Sequence, residues 1–534
     1  MKKFIRIFII ALIALICGYA YYYVTLPAIN IHSPGFWWFL LGGLILISVV
    51  IALVTANYEN NGKSGGKYFK NNLFKIAISF TGVLLVIYLI GSLLSSPIIN
   101  AKKYQSILPI TERNFTDDIK EISYNEIPIL DKDSANLLGS RKMGSMVEYV
   151  SQFEVAPNYT QINYNGTPTR VTPLEYGSAI KWFTNRSKGI PAYMQINMTT
   201  QEVSLVKLDK GIRYSESDHF GRNINRYLRF NYPTYMFDTL NFEINDEGVP
   251  YWICPVNEYT IGLFGGRTIG KVVLVNAITG EHEDYDIEDV PKWVDRVFSA
   301  ELLIELYDYS GTLKHGYFNS IFGQRDALKT TDGYNYIAME DDVWVYTGVT
   351  SVGGDESNVG FVLMNQRTGE TRYYSISGAE EYSAMASAEG IVQHLGYTAT
   401  FPLLLNIGGQ PTYFLALKDA AGLVKQYAMV NIEQYQIVAI GDTILECEKN
   451  YLSKTAGLRD DDNTSVLSVN GTITKIAEAV IEGNSYYYLL LDNSDEIFSL
   501  KVADFLPIIK YNVGDTISLT YKQAGTTNTV ISIE

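Results

Sequence analysis

Three long stretches without a charged side chain stand before residue 100, and they restrict this chain more than any other feature does. Residues 7–24 are uncharged over 18 positions, 36–56 over 21 and 76–94 over 19. At about 1.5 Å per residue each makes a helix of about 27 to 31 Å, the thickness of a bilayer's hydrocarbon core. Soluble core helices rarely need so long a run without charge. The sequence therefore predicts a three-helix transmembrane anchor over residues 1–100, with Phe36, Trp37 and Trp38 at an interface.

Cations in the short loops set the orientation. Lys2, Lys3 and Arg6 precede the first span, and Lys63, Lys67, Lys70 and Lys75 lie in or beside the second loop against Glu59 alone. The first loop, residues 21–35, has neither Lys nor Arg. The consistent solution is a bacterial cytoplasmic membrane with the N-terminus in the cytoplasm and everything beyond the third span outside. Lys102 and Lys103 pull weakly against it. No small-x-small cleavage site follows the first span, and Ile16 precedes Cys17 where a lipoprotein signal needs a small residue, so this span reads as an uncleaved anchor. Residues 60–67 lack the spacing and the preceding strand of a phosphate loop, and read as a basic cytoplasmic loop.

The outer region is long enough for several folded units of about 100–200 residues each. Hydrophobic residues at 47% against 19% charged allow packed cores, and 40 tyrosines favour half-buried strands. A net charge of −15 argues against a nucleic-acid partner, whose binding relies on cations at phosphates. Of three cysteines, Cys17 falls in a predicted span, and Cys254 and Cys447 read as two separate buried thiols.

Inside the outer region the chain repeats itself. Val273, Leu274, Val275, Asn276, Ala277, Ile278, Thr279, Gly280 and Glu281 run on to Tyr285 and Ile287. Asn365, Thr368, Gly369, Glu370, Tyr374 and Ile376 recur at a constant offset of 89. A weaker copy carries Asn197, Thr200 and Glu202, and a fourth keeps little beyond Asn431. Each reads as a hairpin in which Asn closes a strand, Thr-Gly turns and an alternating strand leaves, with Gly280 and Gly369 supplying positive φ. Helices are expected between hairpins at 173–184, 219–230, 291–306 and 378–395. The fold class is therefore α+β, in tandem modules of helix plus antiparallel sheet, each sheet covered on one face.

The run V-L-V-N-A-I-T-G-E at 273–281 resembles the terminal hairpin of PepSY modules, with Asn276 where the family usually has Asp. The resemblance extends over about residues 165–445 as degenerate copies. It implies a bacterial membrane or surface protein whose modules bind a partner or restrain a peptidase.

Residues 101–164 read as a membrane-proximal connector, 165–457 as the tandem modules and 458–534 as a small barrel after a polar linker. Five strand-like runs at 472–477, 485–492, 496–502, 516–521 and 529–533 resemble an OB-type barrel. Residues 465–534 hold four Lys and no Arg against eight acids, so nucleic acid is an improbable ligand for it.

Catalytic chemistry is hard to find. The histidines, His32, His219, His282, His315 and His394, form no ligand pair, and no nucleophile motif occurs. Asp218, His219 and Arg222 make an acid–base candidate, better read as decorating a helix start. Glu340, Asp341 and Asp342, with Asp355, Glu356 and Ser357, make a calcium candidate, better read as a solvated hairpin tip. Glycines 262, 265, 266 and 270 are explained by turns. No catalytic, cofactor or metal residue is assigned, and no cofactor is expected. The expected function is non-catalytic binding or scaffolding of a protein, peptide or envelope component. An envelope enzyme or a peptidase's accessory subunit is the first alternative, and a secretion or transfer component the second.

Overall fold

The charge-free stretches fold as helices. The computed structural model describes residues 2–58, 72–122, 127–353, 357–455, 466–481, 484–522 and 528–533. Helix α1 spans Lys2–Thr25, α2 Pro34–Tyr58 and α3 Asn72–Leu94. Among the described residues, Phe74–Leu94 is the one helix long and apolar enough to cross a membrane, and Pro34–Val49 forms a shorter apolar helix. The loop 60–67 and the linker 458–464 lie outside the described residues.

The chain divides into two compact units, Met1–Tyr451 and Leu452–Glu534. In the first, the α1–α2 loop and the end of α3 meet the same part of the large region. Arg229 Nε donates to Leu26 O at 2.9 Å, and Ile29 N donates to Pro233 O at 2.7 Å. Ser95 Oγ accepts from Leu263 N at 2.8 Å and Phe264 N at 3.2 Å. Leu263 occupies the space a side chain on Gly91 would need, 2.6 Å from where its Cβ would stand. Phe264 packs against Trp37 and Tyr88 at ring separations of 6.1 and 5.0 Å. A hairpin tip of the large region thus plugs the end of the helix bundle that also carries the first loop.

Four sheets, antiparallel but for one edge strand of the third, follow one another among the described residues, each preceded by a helix. Helix Lys132–Gly144 precedes the sheet containing Thr160–Tyr164, Thr167–Tyr176, Ile190–Asn197 and Val203–Ile212. Helix Ile224–Asn231 precedes the sheet from Asn241–Ile244 to His282–Asp286. Helix Ala300–Thr312 precedes the sheet centred on Asp342–Ser351 and Gly360–Asn365. Helix Glu381–Ile391 precedes the sheet centred on Gln410–Lys418 and Val424–Asn431. The stretch 101–164, read as a connector, carries the first of these helices and two strands of the first sheet. It also supplies Ile110–Arg113, which pairs in parallel with Thr371–Tyr374 at the edge of the third sheet.

Coverage on one face is corrected for the second sheet. Trp252, Cys254, Val273 and Val275 pack into a core with the first sheet, while Ile253, Val272 and Leu274 pack into another with the third. Alternation along a strand sends successive side chains to opposite faces, so the unbroken apolar run 272–275 reflects burial on both sides. Each fully buried Val or Leu here is worth about 1.5–3 kcal/mol of transfer free energy.

The expected helix starts also move. Pro173 to Tyr176 belong to strand Thr167–Tyr176, and the helix is only Ala179–Asn185. The helices expected from 219 and 378 begin at Ile224 and Glu381. The one expected from Pro291 begins at Ala300, because Ser299 Oγ accepts from Leu302 N at 3.3 Å and caps it.

In the second unit, five strands pair in the order first–second–third–fifth–fourth and back to first, around Ile473, Leu489, Phe498 and Leu519. They are Val466–Ile481, Asn484–Leu491, Ser494–Lys501, Thr516–Lys522 and Asn528–Ile533, with the third and fifth parallel.

Candidate functional site

The repeated motif builds one hydrogen-bonded turn three times. Asn276 Oδ1 accepts from Ile278 N and Thr279 N, both at 3.0 Å, while Gly280 N donates to Asn276 O at 2.9 Å. Asn365 Oδ1 accepts from Arg367 N at 2.8 Å and Thr368 N at 3.0 Å, and Gly369 N donates to Asn365 O at 2.9 Å. Asn197 does the same for Thr199 N and Thr200 N at 2.9 Å, with Gln201 in the left-handed region at φ 59° where the others have glycine. Glu281 and Glu370 follow the turns, each donating its backbone N–H to the preceding Thr279 or Thr368 hydroxyl at 3.2 Å. These residues shape turns; none of them lines a cleft described below.

The two acidic candidates are engaged by protein partners. Asp218 accepts from Trp182 Nε1 at 2.9 Å and Ser215 Oγ at 3.0 Å, while the His219 ring packs on Trp182 and Arg222 Nη1 donates to Arg186 O at 2.7 Å. Asp342 is held by Arg367 and Asn365, and Glu340 by Arg372. Glu340 and Asp341 form a two-residue hairpin turn, both at positive φ (56° and 66°). Asp355 and Glu356 lie outside the described residues. Among the described residues, no three His, Cys, Asp or Glu side chains converge as a metal site. Cys254 and Cys447 are buried free thiols.

A site that motif reading missed lies where the repeats converge. A cleft of about 560 Å³ is lined by residues from the first repeat, from the approach to the third and from the fourth. A second of about 430 Å³ shares Lys132, Tyr159, Arg296 and Glu301 with it. Strands Thr160–Tyr164 and Thr167–Tyr176 place Gln161 directly opposite Arg170, on the face away from Ile162 and Val171.

Arg170 is 5% exposed and Gln161 4%. Arg170 Nε makes a long 3.4 Å bond to Leu130 O, and no carboxylate pairs with its guanidinium among the described residues. Among the described residues, neither amide atom of Gln161 has a partner, and the same holds for Tyr159 Oη and Arg296 Nε. Burial pulls the Arg170 pKa down to about 10 and pushes the Tyr159 phenol up.

Of the three carboxylates lining the larger cleft, two are engaged, and the third, Asp133, is exposed. Asp131 is half-buried, which opposes its charge, yet bonds from Lys418 and from Ser134 N at 2.8 Å hold its pKa below the ordinary value. Glu301 accepts from Tyr334 Oη at 2.7 Å. Arg170, Arg296 and Lys132 thus present cationic donors to a cleft in a chain that is acidic overall. Desolvated, preoriented donors of this kind bind a planar or tetrahedral anion with charge-assisted hydrogen bonds. The sequence carries little signal for this cleft, because Gln161 and Arg170 stand among Thr, Asn and Glu residues in their strands. The chain matches no family model and no curated protein.

Proposed function

We propose that this chain is a membrane-anchored extracytoplasmic binding protein, whose cleft receives an acidic group of a protein, peptide or envelope component. The observation that carries the binding role is Arg170: a nearly inaccessible guanidinium that no carboxylate pairs with among the described residues, beside a glutamine without a partner among them. Leaving such groups unpaired costs about 1–3 kcal/mol each, which a ligand would return on binding. The anchored orientation is supported by the charge pattern of the loops. It is supported too by the first loop and the large region meeting at one end of the helices. Three Asn-capped turns support the PepSY-like reading of the modules. The first–second–third–fifth–fourth strand order, with Leu506–Lys510 as a short helix between the third and fourth, supports an OB-like barrel.

The test compares wild type with Arg170→Met and Arg170→Lys in the full chain, using immobilised envelope peptides and anionic wall polymers. Arg170→Met should weaken binding roughly 10- to 100-fold, the loss of one charge-assisted hydrogen-bonding group. The ligand-free Arg170→Met protein should be more stable by about 1–3 kcal/mol, because a desolvated charge has gone. Unchanged binding in Arg170→Met would remove the cleft from the mechanism.

A further inference from the structure

Where α3 ends, the chain does not continue straight. Pro97–Gln105 forms a short helix, α4, with non-helical backbone at Asn100. Tyr104 Oη donates back to Ser95 O at 2.7 Å, so α4 folds over the end of α3 instead of extending it. Ile98 and Ile99 are thereby held beside the last turn of α3, and they are 47% and 53% exposed.

Helix Ala300–Thr312 runs antiparallel to this segment. Leu108 packs with Leu302, Leu303 and Leu306, the Tyr104 ring lies 4.8 Å from Tyr309, and Ala101 shares a cluster with Leu313 and Tyr317. Moving back along α4 toward the anchor therefore moves forward along the partner chain. The next residues in that direction are the π-turn Asn319–Gly323 and its approach. Phe318, Ile321 and Phe322 lie there and are 67%, 47% and 80% exposed.

The direction of the two segments thus carries five exposed large apolar side chains toward the side where the apolar helix ends, and water is a poor environment for them. Lys102, Lys103 and Lys314 flank these side chains along the two segments, all exposed, and none takes part in an ion pair among the described residues. Apolar side chains rimmed by lysines, on a chain of net charge −15, suit an interface of acyl chains and phosphate headgroups.

We propose that Ile98, Ile99, Phe318, Ile321 and Phe322 form a lipid-contact face that beds into the outer leaflet beside α3, with Lys102, Lys103 and Lys314 at headgroup level. It rests on the anchored reading above. It also gives the two lysines that oppose the loop-charge pattern a place among outer-leaflet phosphates, and it fixes the tilt of the large region on the membrane.

The full chain, reconstituted in vesicles of phosphatidylglycerol and phosphatidylethanolamine, tests this. Phe322→Cys and Leu85→Cys, each with Cys17→Ser, carry an environment-sensitive fluorophore, since Cys254 and Cys447 are buried. Tyr382→Cys, exposed in the fourth repeat, is the aqueous reference. The expected result is that lipid-borne nitroxide quenches the labels at 85 and 322 several-fold more than iodide does, with the reverse at 382. Lipid quenching at 85 but iodide quenching at 322 overturns the lipid face and leaves the anchor standing. Shielding of 322 from both quenchers also overturns it, in favour of a protein partner or second copy. Absence of lipid quenching at 85 overturns the anchor, and this proposal with it.

Discussion

Arg372→Met is expected to release strand Ile110–Arg113 from the third sheet. That strand is four residues long and exposed throughout, so little apolar burial secures it. Arg372, 4% exposed, does the fastening from the neighbouring strand. Its guanidinium lies 4.5 Å from the Trp344 ring centre and donates to Glu340 at 3.0 and 2.8 Å and to Glu370 at 2.7 Å. It also lies 3.6 Å from Asp118, which accepts from Tyr374 Oη at 2.9 Å. Methionine would still cover Trp344 but would leave three carboxylates close together with only the half-exposed Arg113, 3.7 Å from Asp118, as counter-charge. Breaking a buried ion pair costs about 3–5 kcal/mol. The carboxylates of Glu340 and Glu370 are 53% and 46% exposed and would recover some hydration. The expected loss is therefore near the lower bound, about 3 kcal/mol. Amide hydrogen exchange at 110–113 and 371–374 should accelerate roughly 100-fold, whereas amides of the first sheet should not change. Arg372→Lys should recover less than half, since an ammonium neither forks between carboxylates nor stacks on indole. Wild-type exchange at 110–113 in Arg372→Met would show that the ladder alone suffices.

Local chemistry made part of this molecule readable. Asn276 and Asn365 cap backbone N–H groups two and three residues ahead, and Gly280 and Gly369 take φ values of 80° and 76°, so everything the turn needs lies within six residues. The three N-terminal helices were equally plain as helices, because a long run without charge is a one-dimensional property. Helix starts were misread at Pro173 and Pro291: proline suits a first turn, but it also suits an edge strand or a turn, and the caps are Ser178 and Ser299. Glu340 and Asp342 looked like solvated or calcium-binding acids, since their partners Arg372 and Arg367 stand 32 and 25 residues away. The cleft was out of reach for the same reason. Lys132 and Arg170 come from the first repeat, Arg296 from the approach to the third and Lys418 from the fourth, and no spacing rule relates them.

Raising the pH from about 4.5 to 7 is expected to weaken the packing between the first three repeats, and Asp295→Asn to remove about half of that dependence where the Glu243–Asp295 pair controls it. Both carboxyls are fully enclosed. Burial pushes Glu243 up to about 7, and burial together with the Glu243 carboxyl pushes Asp295 well above the ordinary aspartate range. The sign follows from proton binding. Across the window between the ordinary and the raised values, the folded chain keeps protons that the unfolded chain releases, so stability falls as pH rises, by about 1.4 kcal/mol per unit for each retained proton. Glu243 contributes from about 4.5 to about 7, roughly 3 kcal/mol in all, and Asp295 from the aspartate range upward.

The hydrogen bonds distinguish the two groups. Glu243 accepts from Asp295 N and Arg296 N, both at 2.9 Å, an arrangement that tolerates a carboxylate. Asp295 accepts only from Asn163 N at 2.7 Å, and its other oxygen has no partner among the described residues. Asp295 is thus the natural holder of a proton, and asparagine imitates its neutral form. Asp295→Asn should stabilise the chain increasingly above pH 4.5, leaving the one-proton slope of Glu243. Glu243→Gln should destabilise at every pH by about 1–3 kcal/mol, because its amide hydrogens confront backbone N–H groups. Other buried carboxyls such as Glu381 tilt the wild-type curve as well, so the readout is the difference between variant and wild type in amide exchange at 294–298, corrected for intrinsic rates, from pH 5 to 8. Equal slopes for wild type and Asp295→Asn, or a harmless Glu243→Gln beside a damaging Asp295→Asn, would place the proton on the other carboxyl and reverse the assignment.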